Sequence, residues 1–245
     1  MKRSLHEFSA GLDRVLSKLG YCSRSAARRL VELGEVTVND KVVRDPAVPV
    51  RIGKDRIAVN GSIIQKANHG YLMMNKPRGA VTTANDEKGR KTVISLLPSD
   101  RSNLSPVGRL DMASEGLLLF TNDSQWAARI TSSESHVDKT YHVQIDSTAD
   151  RVLLEQLRSG VLEAGELLRV KGVRKLREGG KNCWLEIVLD EGKNRHIRRT
   201  LDACGIKVLR LIRVAIGPLK LGDLPKGTTR ELTNQEVGRI NRTMA

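Results

Sequence analysis

The segment VGRLDMASEGLLLFTND, residues 107–123, contains the side chain best placed for chemistry, the carboxylate of Asp111. Gly108 through Asp111 form a predicted polar turn, and Glu115-Gly116 open a fully apolar strand. A loop carboxylate held on a rigid scaffold can serve in catalysis. It can equally stabilise the turn itself. The local pattern alone favours the turn, and both interpretations stay open at this point.

The segment DEGKNRHIRRTLDACG places a cluster of basic and titratable side chains at the start of a predicted helix, namely Lys193, Arg195, His196, Arg198 and Arg199. Positive charges in the first turn of a helix oppose its dipole. A neighbouring carboxylate or a phosphate is expected to compensate them. A third basic segment, VLRLIRVAIGPLKL, includes Arg213 and is also typical of an ordinary amphipathic strand.

The charge balance indicates the kind of partner. The 245 residues include 42 Lys and Arg against 28 Asp and Glu, a net charge of +14 with a pI near 10.0. A surface this basic favours a polyanion, nucleic acid before membrane, over plain solubility charge. Without a partner at useful spacing, His196 is interpreted as an RNA-contacting or structural residue and not as a general base.

Several classes of protein are excluded by composition. No apolar stretch approaches the roughly 20 residues of a membrane span, and the N-terminus has no secretory pattern. Cys22, Cys183 and Cys204 are far apart and form no zinc motif, which favours a reducing cytoplasm. With only seven aromatic residues, any RNA should be held largely by Lys, Arg and backbone groups.

Five segments, in this order, resemble the signature segments of the ribosomal small- and large-subunit pseudouridine synthases: NKPRG (75–79), GRLDMASEGLLLFTND (108–123), KTYHV (139–143), EGKNRHIRR (191–199) and RLIRVAIGPLKLGDLPKG (210–227). The relevant members carry an S4-like module ahead of the catalytic domain. The resemblance spans residues 12 to about 237, and GRLD followed by GLLL is its most specific part.

The resemblance implies three catalytic residues. Asp111 matches the family's essential aspartate, Tyr141 its active-site tyrosine, and Arg198 the arginine that pairs with the aspartate. The chain departs from the family pattern at Ala113-Ser114, at Thr131-Ser132 and at His196, which stands where Gln is frequent. None of these departures touches the three catalytic positions, so they bear on substrate choice rather than on activity.

The implied reaction breaks the carbon–nitrogen glycosidic bond of uridine and joins the same sugar to carbon 5 of the base. It requires no redox change, energy input or group donor, so we expect no cofactor and no metal. An ionised Asp111 would attack base or sugar, and pairing with Arg198 would keep it charged after burial. Tyr141 would assist removal of the carbon-5 proton or stack on the base. The base must be flipped out of its helix.

The expected partner is ribosomal RNA, free or in a pre-ribosomal particle, and the protein is expected to be a cytoplasmic monomer. The S4-like module and KNRHIRR look closer to the large-subunit members, which favours 23S rRNA over 16S rRNA. The alternative is a non-catalytic RNA-binding or ribosome-assembly factor. The predicted RNA contacts are Arg24, Arg28, Arg29, Lys41, Arg109, Lys193, Asn194, Arg195, Arg199 and Arg213.

The N-terminal elements predict the module that would hold RNA. Residues 12–34 read as two short helices, with Ser23 or Ser25 as N-cap and Gly34 as the stop of the second. Strand-like alternation and an Asn60-Gly61 turn signal follow. SRSAARRLVELGEVTVNDKVV resembles the S4-like RNA-binding module over about residues 12–58, with a generic helical hairpin as the alternative.

The predicted fold class is α+β: a small S4-like α/β domain, residues 10–66, then a mostly antiparallel, mixed-sheet catalytic domain, residues 70–240, with a boundary near Gln65–Gly70. Adjacent strands without crossover helices favour the antiparallel sheet. Predicted strands are Tyr71–Asn75, Leu117–Thr121, Tyr141–Ile145, Leu168–Leu176, Trp184–Leu189 and Val208–Ile212. Predicted helices are Val93–Leu97, Gln125–Ser132, Ala149–Ser159 and Asn194–Cys204.

Overall fold

The computed structural model describes residues 9–64, 68–83, 86–101 and 103–244. Within these ranges the chain forms two compact units. One comprises residues up to 70 together with 99–105 and 121–125, and the other comprises 71–98, 106–120 and the chain from 126 onward. The boundary predicted near Gln65–Gly70 falls partly on residues 65–67, which lie outside the described residues. The domain limits 10–66 and 70–240 remain a prediction.

The first unit begins with a helical hairpin followed by short strands. Ser23 caps the second helix by accepting a hydrogen bond from the Ala26 amide at 3.2 Å, and Gly34 ends it in the left-handed conformation. In chain order the elements are β1 (Ser9–Gly11), α1 (Leu12–Lys18), α2 (Arg24–Leu33), β2 (Val36–Val38), β3 (Lys41–Val43), β4 (Pro49–Arg51), β5 (Ile57–Val59) and β6 (Ser62–Ile63).

The strands of this unit close a small core beneath the two helices. β2, β3, β5 and β6 form an antiparallel sheet in the order β3-β2-β5-β6, and β1 pairs with β4. Asn60 and Gly61 both have positive φ, as the two-residue turn between β5 and β6 requires. Val15, Leu16 and Val31 from the helices pack against Val36 of the sheet.

Beyond residue 70 the chain alternates strands and helices. In order these are β7 (Tyr71–Lys76), β8 (Ser105–Val107), β9 (Glu115–Thr121), α3 (Ser124–Thr131), β10 (Lys139–Ile145), α4 (Arg151–Ser159), β11 (Val161–Glu163), β12 (Glu166–Leu168), β13 (Gly172–Glu178), β14 (Cys183–Leu189), α5 (His196–Ala203), β15 (Val208–Ile216), β16 (Leu219–Lys220), β17 (Thr229–Glu231) and α6 (Asn234–Thr243). Short 3-10 turns occupy Ile94–Leu96, Ser99–Arg101 and Ser133–Ser135.

A nine-stranded sheet organises this part of the chain. Its main path is β13-β14-β10-β15-β9-β7-β17, with β8 beside β9 and β16 beside β15. Neighbouring strands pair antiparallel from β13 to β15, whereas β15 and β9 are parallel. The predicted α+β class with a mostly antiparallel, mixed sheet is therefore confirmed.

Strand β9 is buried along its whole length and lies in the middle of the sheet. Gly116 allows its parallel approach to β15, since a Cβ there would lie 2.3 Å from the backbone oxygen of Arg213. Its φ of +102° also favours glycine. The Glu115-Gly116 pair therefore places the end of the Asp111 loop directly against β15.

Two apolar clusters cover the sheet. In the first, Val143, Leu185 and Leu211 pack against helices α4 and α5. In the second, Met73 and Leu117 of the sheet pack with Trp126, Ile130 and Ile240 of α3 and α6. The helices are amphipathic, and their apolar sides complete both clusters.

The structure differs from the sequence predictions at several element ends. The predicted strand 168–176 is interrupted, because β12 ends at Leu168 and β13 begins at Gly172. The predicted helix Val93–Leu97 is only a 3-10 turn. The predicted helix 194–204 begins at His196, since Arg195 at its N-cap has a left-handed φ of 49°. Helix α6 was missed, although Thr233 and Glu236 form a capping box, a recognisable sequence signal.

No helix within the described ranges is long and apolar enough to cross a membrane.

A buried carboxylate fastens the start of β9 to β15. The Oε1 and Oε2 atoms of Glu115 accept hydrogen bonds from Arg210 at 2.8 and 3.0 Å, and Lys226 Nζ lies 2.7 Å from Oε2. Glu115 is 3% exposed. The hydrogen bonds from Arg210, with help from Lys226, lower the pKa of Glu115 to about 2.

Replacing Glu115 by Gln should lower the free energy of unfolding at pH 7 by about 2 kcal/mol. The loss is smaller than for a fully buried pair because Arg210 and Lys226 remain partly exposed. Since the pKa in the folded protein lies below its ordinary 4.5, this stabilisation is complete above pH 4.5 and is lost as the pH falls towards 2. Denaturant unfolding between pH 7 and pH 3 measures it.

The matched control is Glu155→Gln, which breaks an ion pair with Arg151 on the exposed face of α4. We expect little change in stability from that variant. If the difference in unfolding free energy between Glu115→Gln and wild type did not become smaller between pH 7 and pH 3, the ion-pair explanation would be wrong.

Candidate active site

A cleft of about 370 Å³ brings the three predicted catalytic residues together. Asp111, Tyr141 and Arg198 all line it, although they are up to 87 positions apart in the sequence. Its walls include the loop before β9, the first residues of β10, the loop before α5 with the first turn of that helix, and β15.

The Asp111 loop is held by its backbone. The Asp111 carbonyl accepts hydrogen bonds from Lys76 Nζ at 3.1 Å and from the Ser114 amide at 3.0 Å. The Gly79 amide donates to the Met112 carbonyl at 2.8 Å. The carboxylate of Asp111 accepts no hydrogen bond and forms no ion pair among the described residues. Of the two interpretations left open by the sequence, a turn-stabilising side chain therefore has no contact to support it, and the half-buried carboxylate is presented to the cleft.

Lys76 supplies the most deeply buried contact to this loop. Its side chain is fully buried at the end of β7, and its Nζ donates to the carbonyls of Pro77, Asp111 and Ser114 at 3.2, 3.1 and 2.9 Å. Burial lowers the pKa of Lys76 to about 8, while the charges of Asp111 and Glu115 oppose that shift. Lys76 is thus a positioning residue for the Asp111 turn.

Sequence reasoning did not single out Lys76, although NKPRG was among the matching segments. The available signal was a lysine at the end of the apolar strand YLMMNK. Lysine is almost never fully buried without hydrogen-bonding partners. A lysine in such a strand therefore predicts backbone carbonyls or a carboxylate around it.

Tyr141 lies half-buried near the start of β10. In the antiparallel ladders its neighbours are Ile187 on β14 and Arg213 on β15. Its ring faces the same cleft as Asp111. The central position of β10 in the sheet gives this side chain rigid support on both sides.

Arg198 does not form the ion pair with Asp111 that the resemblance implies. Its Nη2 donates to the Ala113 carbonyl at 3.3 Å, and its Nε is buried with no hydrogen-bond partner in the described part of the chain. Burial lowers the pKa of Arg198, with a further contribution from Arg195, while the charge of Asp111 raises it. The two groups therefore interact through their charges across the cleft, and Arg198 donates a hydrogen bond to the turn that carries Asp111.

The basic cluster at the start of α5 has some side chains paired with carboxylates and others lining the cleft. Arg199 is paired with Glu163 and, at 2.8 Å between Nη2 and Oε2, with Glu166 of the β11–β12 hairpin, and it does not line the cleft. Lys193 lines the cleft but is also ion-paired, with its Nζ 3.0 Å from Glu191 Oε1 and 3.5 Å from Glu166 Oε1. Part of the negative charge that the sequence predicts near these cations therefore comes from carboxylates of the protein itself, Glu163, Glu166 and Glu191.

The remaining predicted contacts fall in two places. Arg109, Asn194, Arg195 and Arg213 line the cleft. In the first unit, the Nη2 atoms of Arg24 and Arg28 lie 3.3 and 3.8 Å from Oδ2 of the buried Asp13. Arg29 and Lys41 are exposed and have no ion pair in the described chain.

His196 is the first residue of α5 and is buried. Its Nδ1 lies 3.5 Å from Glu191 Oε1, and neither ring nitrogen is hydrogen-bonded within the described residues. Burial lowers its pKa. In the ranges that the structure describes, no group of three or more His, Cys, Asp and Glu side chains is placed to hold a metal ion.

Two family models match this chain. Residues 11–57 match the S4 domain, and residues 70–203, more than half of the chain, match RNA pseudouridylate synthase. The chain belongs to the RNA pseudouridylate synthase family. The predicted family is confirmed, and this pseudouridine synthase is an isomerase acting on uridine in RNA.

Its relatives cover nearly the whole chain. It is 36% identical over 231 residues to ribosomal large subunit pseudouridine synthase B of Bacillus subtilis, covering 94% of both proteins. It is 35% identical to the protein of the same name from Haemophilus influenzae, covering 94% of this chain and 66% of that one. A crystal structure of a pseudouridylate synthase has a TM-score of 0.66 at 29% identity, covering 95% of this chain and 100% of that one.

Substituting Lys76 by Met should slow uridine conversion by about tenfold or more while leaving RNA affinity near wild type. The variant leaves three carbonyls short of a donor, so the Asp111 turn loses its fixed position. Because Lys76 is fully buried it cannot contact RNA directly. Single-turnover rates at saturating RNA, together with a binding isotherm, separate the two effects, and weaker binding with an unchanged rate would contradict the positioning role.

Proposed function

We propose that this pseudouridine synthase modifies a specific uridine of ribosomal RNA, in 23S rRNA, with Asp111 as the nucleophile. The position of Asp111 supports the assignment. Hydrogen bonds to its backbone carbonyl hold the turn, while its carboxylate has no side-chain partner among the described residues and lies in a cleft shared with Tyr141 and Arg198. Both the Bacillus subtilis and Haemophilus influenzae relatives are named for the large ribosomal subunit.

Arg198 acts on Asp111 through its charge. Removing a carboxylate from water disfavours its charged form, and a nearby cation opposes that effect. The reaction needs the ionised form, because only the carboxylate can attack sugar or base. Arg198 is well placed for this because its contact with the Ala113 carbonyl fixes it against the Asp111 turn.

Tyr141 is positioned to contact the flipped base. It lies on a central strand of the sheet and faces the cleft, so a uracil ring entering beside Asp111 meets its side chain. The ring can stack on the base, and its hydroxyl can assist removal of the carbon-5 proton.

RNA outside the cleft is held by two sets of cations. Around the cleft, Arg109 and Arg195 are exposed and can reach phosphates flanking the flipped nucleotide. In the S4 domain, Arg29 and Lys41 are exposed without an ion pair in the described chain and are available for structured RNA. Arg24 and Arg28 also pair with Asp13 but keep most of their side chains exposed to RNA. These contacts offset the cost of unstacking the target base.

Asp111→Asn should fold like wild type yet lose at least ~10³-fold in rate, because the amide is nearly isosteric but cannot attack. Asp202→Asn is the matched control, since Asp202 is exposed on α5 and does not line the cleft. Conversion of uridine in ribosomal RNA transcripts measures the rate. Turnover by Asp111→Asn at the wild-type rate would overturn the nucleophile assignment.

Mapping pseudouridine in ribosomal RNA from a deletion strain tests the substrate. One pseudouridine should disappear from 23S rRNA and return on complementation with wild type but not with Asp111→Asn. Loss of a position in 16S rRNA instead would show that the large-subunit assignment is wrong.

The double variant Arg29→Gln/Lys41→Gln should weaken RNA binding and flatten the plot of log affinity against log salt by roughly 0.7–0.9 per lost phosphate contact. The rate at saturating RNA should change little, because Asp111, Tyr141 and Arg198 remain. Arg151→Gln, at an exposed ion-paired site on α4, removes one charge as a control. A salt slope equal to wild type would exclude these two S4 residues as phosphate contacts.

A further inference from the structure

Two buried cations form part of the cleft beside Tyr141. Lys139 precedes Tyr141 by two residues on β10, and Arg213 is the direct cross-strand neighbour of Tyr141 on β15. Lys139 is 9% exposed and Arg213 is 5% exposed, and both line the cleft. Alternate residues of a strand point to the same face, so Lys139 and Tyr141 share that face of the sheet.

Neither cation has a carboxylate partner within ion-pair distance among the described residues. Arg213 Nε donates to the Leu117 carbonyl at 2.7 Å, and its Nη2 is buried without a hydrogen bond. Burial, and next the charge of Arg213, lower the pKa of Lys139, while Asp138 and Asp190 oppose this shift from a distance. Asp138 is itself paired with Lys171 at 2.7 Å.

An uncompensated buried charge lowers the stability of the fold, and here two like charges lie close enough to repel each other. Such an arrangement is typical of functional sites, where the compensating charge arrives with the substrate or develops during the reaction. The missing charge is therefore an anion inside the cleft.

The depth at which a cation lies in the cleft indicates whether it contacts a phosphate or the nucleobase of the bound RNA. Arg109 and Arg195 are exposed and face the solvent, where the phosphates of a flipped nucleotide remain hydrated. Lys139 and Arg213 are buried beside Tyr141, with apolar Leu211 and Ile216 nearby in the lining. The group that enters this far is the uracil ring.

We propose that Lys139 and Arg213 stabilise the negative charge that develops on the uracil ring during isomerisation, an inference that rests on the function proposed above. When the Asp111 carboxylate forms a bond to C1′, the bond between C1′ and N1 breaks and its electron pair stays on the ring, spread over N1, O2 and O4. C5 of the ring then attacks C1′ with a ring electron pair and displaces the Asp111 carboxylate, after which the ring loses the proton at C5 and gains one at N1. No net change in charge or oxidation state results.

The first test compares Lys139→Met with Lys139→Arg in the full-length protein. The Met variant should lose at least ~10²-fold in rate at saturating RNA, with RNA affinity within about threefold of wild type, and the Arg variant should recover much of the rate. Because the removed charge is unpaired, the melting temperature of Lys139→Met should not fall and should rise by about 2–4 °C. Arg195→Met, at the exposed edge of the cleft, should chiefly weaken RNA binding instead.

The second test changes the base. RNA carrying 5-fluorouridine at the target position gives a ring whose anion is already stabilised by fluorine. The rate deficit of Lys139→Met relative to wild type, measured as single-turnover loss of the original nucleoside, should therefore be at least tenfold smaller for 5-fluorouridine than for uridine. An equal deficit on both substrates would assign the cations to a phosphate or to the fold, and would overturn the proposal.

The outcomes separate this inference from the proposed function. Wild-type protein that forms no pseudouridine in ribosomal RNA would refute the function and this inference with it. Active wild type together with a fully active Lys139→Met would refute only the inference. Lower melting temperatures in both Lys139→Met and Lys139→Gln would show that Lys139 supports the fold, and would likewise overturn it.

Discussion

The ammonium of Lys76 below the Asp111 turn is the contact on which the reaction centre depends. A buried lysine whose ammonium lacked hydrogen-bond acceptors would strongly destabilise the fold. Lys76 Nζ donates to the carbonyls of Asp111 and Ser114 in the turn and to that of Pro77 after β7, so the lysine and the turn hold each other in place. Because this hold acts through the backbone, the Asp111 carboxylate remains free to react. Glu115, four residues later, fastens the other end of the loop to β15 through Arg210.

The basic side chains fall into two groups, those paired with a carboxylate and those without such a partner in the described chain. The basic side chains that the fold itself uses are paired: Arg199 with the acids of the β11–β12 hairpin, and Arg210 with Glu115. Among the cations of the described chain that have no carboxylate partner, Lys41 lies in the S4 domain and Lys139 lies in the cleft. At these two places an RNA polyanion can compensate the positive charge.

Much of the scaffold could be predicted locally. Ser23 and Gly34 bound α2 as their cap chemistry requires, and Asn60-Gly61 forms the tight turn that its type favours. The predictions fail mainly where the local signal is weak, as in the β11–β12 hairpin, whose strands have only three residues. Helix α6 is a different case, because its capping box is a recognisable local signal for a helix start.

Ordered motifs and hydrophobic periodicity are local properties, so the sequence was enough to predict the fold class, the S4 and synthase families, and three residues that line the cleft, Asp111, Tyr141 and Arg198. Which polar groups contact each other depends instead on the tertiary structure. It showed that Arg198 contacts the Ala113 carbonyl rather than pairing with Asp111, and that Arg199 is neutralised by Glu163 and Glu166. It also revealed Lys76 and Lys139, since burial and hydrogen bonding depend on strands that are distant in sequence and adjacent only after the sheet has formed.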